Sequence, residues 1–168
     1  ATIIGQAHPA WTANLDCAAA AQWVGAQALG APETALFAHP FTITTDCIHS
    51  ATIGLCWLTD DTLGGQTFNL EGVYINGVPL SGTAGGNYAA DTSVSGIDVT
   101  ALVTPGLNYL YVYNFDLGAV GSGVNYDERL VVVECPTPVE PSTWSGIKHR
   151  YCPGSRRGHQ SGRRELPV

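Results

Sequence analysis

The sequence predicts an all-β protein, folded as an antiparallel β-sandwich or jelly roll. Three features carry that prediction. Apolar residues recur with the two-residue period of a half-buried strand, the alternating segments follow one another about every ten residues, and the gaps between them hold Gly, Pro, Asn or Asp. In chain order, Phe41-Thr-Ile-Thr-Thr45 alternates, and Ala51-Thr-Ile-Gly-Leu-Cys-Trp-Leu58 runs as a nearly continuous apolar strand ended by Thr59-Asp60-Asp61. Gly72-Val-Tyr-Ile75 is closed by Asn76-Gly77 and followed by Val78-Pro-Leu80. Asn-Gly supplies the two positive-φ residues that a tight hairpin demands. Ile97 to Val103 reads as the next strand, ended by Thr104-Pro-Gly106, and Asn108-Tyr-Leu-Tyr-Val-Tyr-Asn114 alternates without a break. Gly118-Ala-Val-Gly-Ser-Gly123 reads as a flexible loop, since it lacks the Lys-Ser/Thr of a phosphate loop, and Arg129 to Glu134 is the last strand. Asp16-Cys-Ala-Ala-Ala-Ala-Gln22 alone reads as helical, with Asp16 as its cap.

A chain of 168 residues, 45% hydrophobic, suffices for one substantial core. Pro136, Pro138 and Pro141 then mark a change of character. The reading is a β-sandwich domain over 1–135, with an N-terminal extension over 1–20, and a Pro-rich linker with a basic, disordered tail over 136–168. Charged residues make up 12% of the chain, lysine occurs once and methionine never, so residue 1 is expected to be a processed end of an exported, extracellular protein. No apolar run reaches the roughly 18 residues of a membrane span. Residues 1–144 hold all the acidic residues except Glu165, with Arg129 their only Lys or Arg; the other six cations lie beyond residue 144. An acidic body repels phosphate, so no nucleic-acid partner is expected.

Cys17, Cys47, Cys56 and Cys135 lie in the body and Cys152 in the tail. There is no CxxC pair, and His8, His39 and His49 are scattered, which argues against zinc and for disulfides. Four cysteines allow three connectivities. The expected one joins Cys17 to Cys135 and Cys47 to Cys56, with a buried free Cys56 as the alternative.

Phe41 to Glu134 resembles the galactose-binding-like sandwich of bacterial extracellular proteins. The similarity lies in the order of its parts: the strand ending in Asp60-Asp61, Val73-Tyr-Ile-Asn-Gly77, Ile97-Asp-Val-Thr100, Pro105-Gly-Leu-Asn108 with Leu110, Val112 and Asn114, then a glycine-rich turn and a closing strand. His8-Pro-Ala-Trp11 and Gln22-Trp-Val-Gly25 resemble the opening segments of such domains. Pro138-Val-Glu-Pro-Ser-Thr-Trp144 is similar to the PEP-CTERM sorting motif, which implies export to an envelope or exopolysaccharide matrix. Here Val139 replaces the first proline, and residues 145–155 are polar where that family has a membrane helix.

The most promising site residues are Tyr109, Tyr111 and Tyr113, which share one face of a strand while Leu110 and Val112 take the other. Flat rings with a polar edge suit sugars and protein interfaces alike; the competing reading is burial beneath loops. Asp60 and Asp61, with Glu71, are candidate carboxylates for acid/base work or for calcium, and separately Asp116 and Asp127, with Glu128, are candidate calcium ligands, a structural calcium being implied by the resemblance; no other cofactor is expected. A strand-end Asp-Asp also serves as a turn that binds backbone amides. No Gly-x-Ser-x-Gly elbow and no Ser or Cys paired with His is evident. The expected function is therefore non-catalytic: an extracellular matrix or carbohydrate-binding protein with polysaccharide as partner. The alternative is a self-assembling subunit of a filament or surface layer whose partner is its own copy, with Ala1-Thr-Ile-Ile4 adding a strand to a neighbour.

Overall fold

Among the described residues ten strands form two facing antiparallel sheets: β1 (Thr2–Ile3), β2 (Val24–Gly25), β3 (Ala35–Ile43), β4 (Ile48–Asp60), β5 (Thr62–Leu63), β6 (Val73–Ile75), β7 (Val78–Pro79), β8 (Thr92–Asp98), β9 (Gly106–Phe115) and β10 (Gly123–Glu134). In this computed structural model we describe residues 2–4, 8–18, 20–26, 34–118 and 121–136. The PEP-CTERM-like segment, the basic tail and Cys152 lie outside the described residues. The architecture below is that of the unit Ala1–Cys135.

One sheet has the order β1-β2-β10-β4-β8, the other β3-β9-β6-β7, with β5 also paired to β9. Between them lies the main core. Ile53, Leu55 and Trp57 of β4 and Val124 of β10 meet Phe37 and Ile43 of β3, Val73 and Ile75 of β6, and Leu110 and Val112 of β9. The two-residue pleat sends alternate side chains inward, and their removal from water is the main favourable contribution to folding.

The Asn-Gly hairpin forms as the sequence predicts. Tyr74 pairs with Pro79 and Ile75 with Val78, and Asn76 and Gly77 hold φ of 50° and 86°. Gly86 is required for a different reason: with φ at 110°, a Cβ there would stand 2.5 Å from the Trp57 indole nitrogen.

Several expectations are corrected. The described residues of the segment 16–22 form no helix. Ala18 bonds back to Leu15 and Ala21 to Ala18 as successive turns, while the Asp16 amide donates to the Asp91 carboxylate at 2.6 Å. A helix of two turns is too short to repay its own nucleation when tertiary contacts compete. The strand expected over 97–103 lies instead at Thr92–Asp98, and Val99 to Val103 is a turn whose Leu102 and Val103 amides donate to Val99. The last strand begins at Gly123, six residues before Arg129.

The fourth correction concerns the disulfides, which join Cys17 to Cys56 and Cys47 to Cys135. Cys47 directly precedes β4 and Cys135 directly follows β10. Those strands pair antiparallel with Ile48 opposite Glu134, so the two cysteines meet at the end of the ladder. Cys47 and Cys56 stand nine residues apart along one extended segment, about 30 Å, far too distant to bond. Cys56 instead points away from the core, toward the N-terminal segment. Thr2 and Ile3, expected as a strand for a neighbour, pair with Val24 and Gly25 of their own chain.

Residues 8–18 and 20–25 cover the outer face of the β10-β4 sheet. Trp11, Leu15 and Trp23 pack on Cys56 and Leu58 as a second core, and the two indoles stack at 4.3 Å. The Trp11 indole N–H donates to Asp60 at 2.6 Å, that of Trp23 to the Thr12 carbonyl at 2.8 Å, and the Thr12 amide to the Tyr88 carbonyl at 2.9 Å.

Candidate functional site

The outer face of the other sheet carries no such cover among the described residues. Parity along β9 buries Leu110 and Val112 at 1% exposure and turns Tyr109, Tyr111 and Tyr113 outward. Cross-strand register extends the face. Tyr113 lies opposite Leu36, Tyr111 opposite Ala38 and Tyr109 opposite Pro40 on β3; on the other side Tyr111 meets Tyr74 of β6, which in turn meets Pro79. The Tyr109 and Tyr111 rings stack at 5.9 Å with 21° between their planes, and Tyr113 tilts against Phe115 at 6.3 Å. A shallow depression of about 280 Å³ opens beside the stack, lined by Leu36, Asn69, Tyr74, Asn76, Gly77 and Tyr111.

Two interactions stiffen its floor. The Tyr74 hydroxyl donates to the Glu71 carbonyl at 2.8 Å, and burial, reinforced by the Glu71 charge, pushes this phenol above its ordinary range. Asn76 accepts the Tyr109 amide at 2.9 Å and donates to the Leu102 carbonyl and to Asn108. Asn108, fully buried, ties Asn76 to the Thr104–Gly106 turn through four hydrogen bonds. Tyr74 was not singled out from the sequence, although Val73-Tyr-Ile75 carries the same apolar-in, ring-out parity as β9. Asn69 and Leu36 had no sequence signal, because only register brings them to this face.

The four aspartates considered for calcium do not converge. Asp61 accepts the Leu117 amide at 2.7 Å and Asp116 accepts the Gly118 amide at 2.8 Å, both as loop-ordering carboxylates. Asp127 lies on β10 opposite Cys56, four residues along β4 from Asp60. Asp60 is engaged by Trp11. Burial, followed by the hydrogen bond to Asp61, raises the Asp60 carboxyl to about 6. With His8, Tyr88 and Gly121 these two aspartates line a cavity of about 360 Å³ at the end of the N-terminal segment. Among the described residues, the one group of three metal-ligand types within mutual reach is Cys17, Cys56 and Asp91, whose two sulfurs are already joined as a disulfide.

On the open side of the sandwich, where β3 and β10 face each other, His39 meets Glu128 at 2.8 Å. Burial raises the Glu128 carboxyl, and the neighbouring His39 opposes that shift. Burial likewise pushes the adjacent Tyr126 phenol up to about 12.

No protein-family model matches the chain, and no curated protein or solved structure matches it either. The two disulfides are compatible with an extracellular protein, and no helix among the described residues is long and apolar enough to cross a membrane.

Proposed function

We propose that this is a secreted, non-catalytic binding module that holds a neutral polysaccharide on the tyrosine face of the β3-β9-β6 sheet. The observation that carries the reading is the stacked Tyr109–Tyr111 pair beside the depression floored by Tyr74. The axial C–H groups of a pyranose lie well on aromatic rings, and its hydroxyls reach phenol and amide groups at the rim. Apart from the phenols, the cross-strand rows Leu36, Ala38, Pro40, Tyr74, Pro79, Tyr109, Tyr111 and Tyr113 hold no ionisable group, which favours an uncharged glycan. The residues lining the depression include no carboxylate, thiol or imidazole, so the face is furnished for holding and not for bond cleavage.

Affinity electrophoresis through gels containing a panel of neutral and acidic polysaccharides tests this. Tyr111→Ala is expected to weaken retention on a neutral polymer by up to about tenfold. Tyr88→Ala, an exposed tyrosine off this face, is expected to leave it unchanged. Retention on no polymer, or equal retention of wild type and Tyr111→Ala, would reject the reading.

A further inference from the structure

Six described residues line the depression beside the tyrosine stack, and their polar groups are not equally available. Leu36 and Gly77 bring no polar side chain. Asn76 is saturated: its oxygen accepts the Tyr109 amide, and its two amide hydrogens go to the Leu102 carbonyl and the Asn108 side chain. The Tyr111 hydroxyl is a rotor that can give or take a hydrogen bond, so it selects nothing. Tyr74 and Asn69 remain, and each has one role. The Tyr74 hydroxyl donates its single proton to the Glu71 carbonyl at 2.8 Å, so toward a ligand its oxygen can only accept. The Asn69 amide oxygen lies 3.3 Å from that hydroxyl, and its amide nitrogen has no partner among the described residues, so toward a ligand that nitrogen can only donate. Asn69 ends a four-residue turn fixed by its own backbone, with the Gln66 amide donating to the Asn69 carbonyl at 3.1 Å and the Asn69 amide to the Gln66 carbonyl at 3.0 Å. Phe68 and Leu70 on either side of it are 96% and 68% exposed, so replacing Asn69 alters the wall of the depression without opening the core.

An acceptor and a donor held side by side match one chemical group, a hydroxyl, which donates to the first and accepts from the second. We propose that Asn69 and Tyr74 together read a single free hydroxyl of the bound sugar, so that the face selects neutral glycans unsubstituted at that position and turns away those in which it is O-methylated or O-acetylated. The inference rests on the glycan reading of the tyrosine face. It adds a selectivity that the stacked rings lack, because an aromatic ring meets the C–H face of a pyranose whatever its hydroxyls carry. An ether oxygen accepts from Asn69 but has no proton for Tyr74, and an ester adds bulk as well. A site that pairs its own polar groups with a ligand hydroxyl loses those bonds when the hydroxyl is capped, and this discriminates more sharply than apolar contact does.

Affinity electrophoresis of the full chain on galactomannan, xyloglucan and mixed-linkage β-glucan, each beside its O-methylated derivative, tests this. On a polymer that retains the wild type, Asn69→Ala and Tyr74→Phe are each expected to weaken retention about fivefold. Because both side chains bind one hydroxyl, the double variant is expected to lose little more than either single one. On the O-methylated polymer the ratio of wild-type to double-variant retention is expected to fall to about one. Tyr74→Phe also frees the Glu71 carbonyl, so urea midpoints are measured alongside; a loss of folding cannot produce a ratio that depends on methylation. Retention that Tyr111→Ala weakens and Asn69→Ala does not would overturn the inference and leave the reading of the face in place. A ratio unchanged by methylation, or losses that add in the double variant, would overturn it as well. Retention on no polymer, or equal retention of wild type and Tyr111→Ala, would remove that reading and the inference with it.

Discussion

The two outer faces of this sandwich use the same pleat to opposite ends. On the β10-β4 sheet the outer face is roofed by residues 8–18 and 20–25, and β4 is apolar on both sides: Leu55 and Trp57 point to the main core, Cys56 and Leu58 to the roof. On the β3-β9 sheet the outer face carries no cover among the described residues, and β9 keeps strict alternation, Leu110 and Val112 inward against Tyr109, Tyr111 and Tyr113 outward. A strand buried on both faces has no polar side to show, whereas one buried on a single face must. The lesson is that a continuous apolar run in one strand and clean alternation in another report how many layers cover each sheet. The covered face contributes to stability, and the other is the face we propose for binding.

The largest expected effect measures that division directly. Trp23 is 1% exposed and stacks on Trp11, so Trp23→Ala empties the centre of the roof and is expected to cost about 3 to 5 kcal/mol in urea denaturation. Tyr111→Ala, on the open face, is expected to cost less than about 1 kcal/mol. Equal losses at the two positions would mean that the tyrosine face is itself packed against something, and the distinction between a structural and a binding face would fail.

Much of this was legible in the residues. The Asn76-Gly77 hairpin, the β4 run and the β9 alternation are local patterns, and each one fixed the direction of its own side chains. What was not legible depends on partners distant in sequence. Thr92-Ser-Val-Ser-Gly96 carries little apolar signal because it is an edge strand that borrows its order from β4. Ala35 to Pro40 is obscured by His39 and Pro40, both tolerated because β3 is an edge. The Cys47–Cys135 disulfide follows from register: the two cysteines are adjacent only because Ile48 lies opposite Glu134. The roof looked helical because Ala18 to Ala21 favours a helix in isolation, while Trp11, Leu15 and Trp23 pin the segment in another shape. The outward tyrosines could be assigned to one face from spacing. That they join Tyr74 and Leu36 required the sheet order.

A smaller effect tests the roofed face from below. Asn125 of β10 lies opposite Leu58, is fully buried, and neither its amide nitrogen nor its oxygen has a hydrogen-bond partner among the described residues. One pleat earlier on the same face, a Cβ on Gly123 would touch Ile4, Trp11 and Trp23, which places Asn125 beneath the same roof. Leaving an amide dry and unpaired costs free energy that an apolar side chain of similar size avoids. Asn125→Leu is therefore expected to stabilise the fold by about 1 to 2 kcal/mol, read as a higher urea midpoint with unchanged slope. A destabilised variant would show that the amide is satisfied in solution.

The smallest expected effect is a pH dependence confined to the roofed face. Asp60 holds the Trp11 indole, and its carboxyl is raised from 3.8 to about 6, chiefly by burial and then by the shared hydrogen bond with Asp61. A carboxyl that keeps its proton more tightly when folded stabilises the fold below its unfolded value. That contribution is lost as the pH climbs from about 4 to about 6, where the unfolded chain ionises first. Because the group is only partly buried, solvent screening reduces the effect to about 1 kcal/mol. Asp60→Asn retains an oxygen to accept the indole N–H and cannot ionise. Its advantage over wild type in urea denaturation is expected to grow between pH 4 and pH 7, and Tyr111→Ala should shift both curves without changing that difference. A constant gap between Asp60→Asn and wild type across this range would separate the Asp60 charge from the docking of the roof, leaving the disulfide and the stacked indoles as what holds it down.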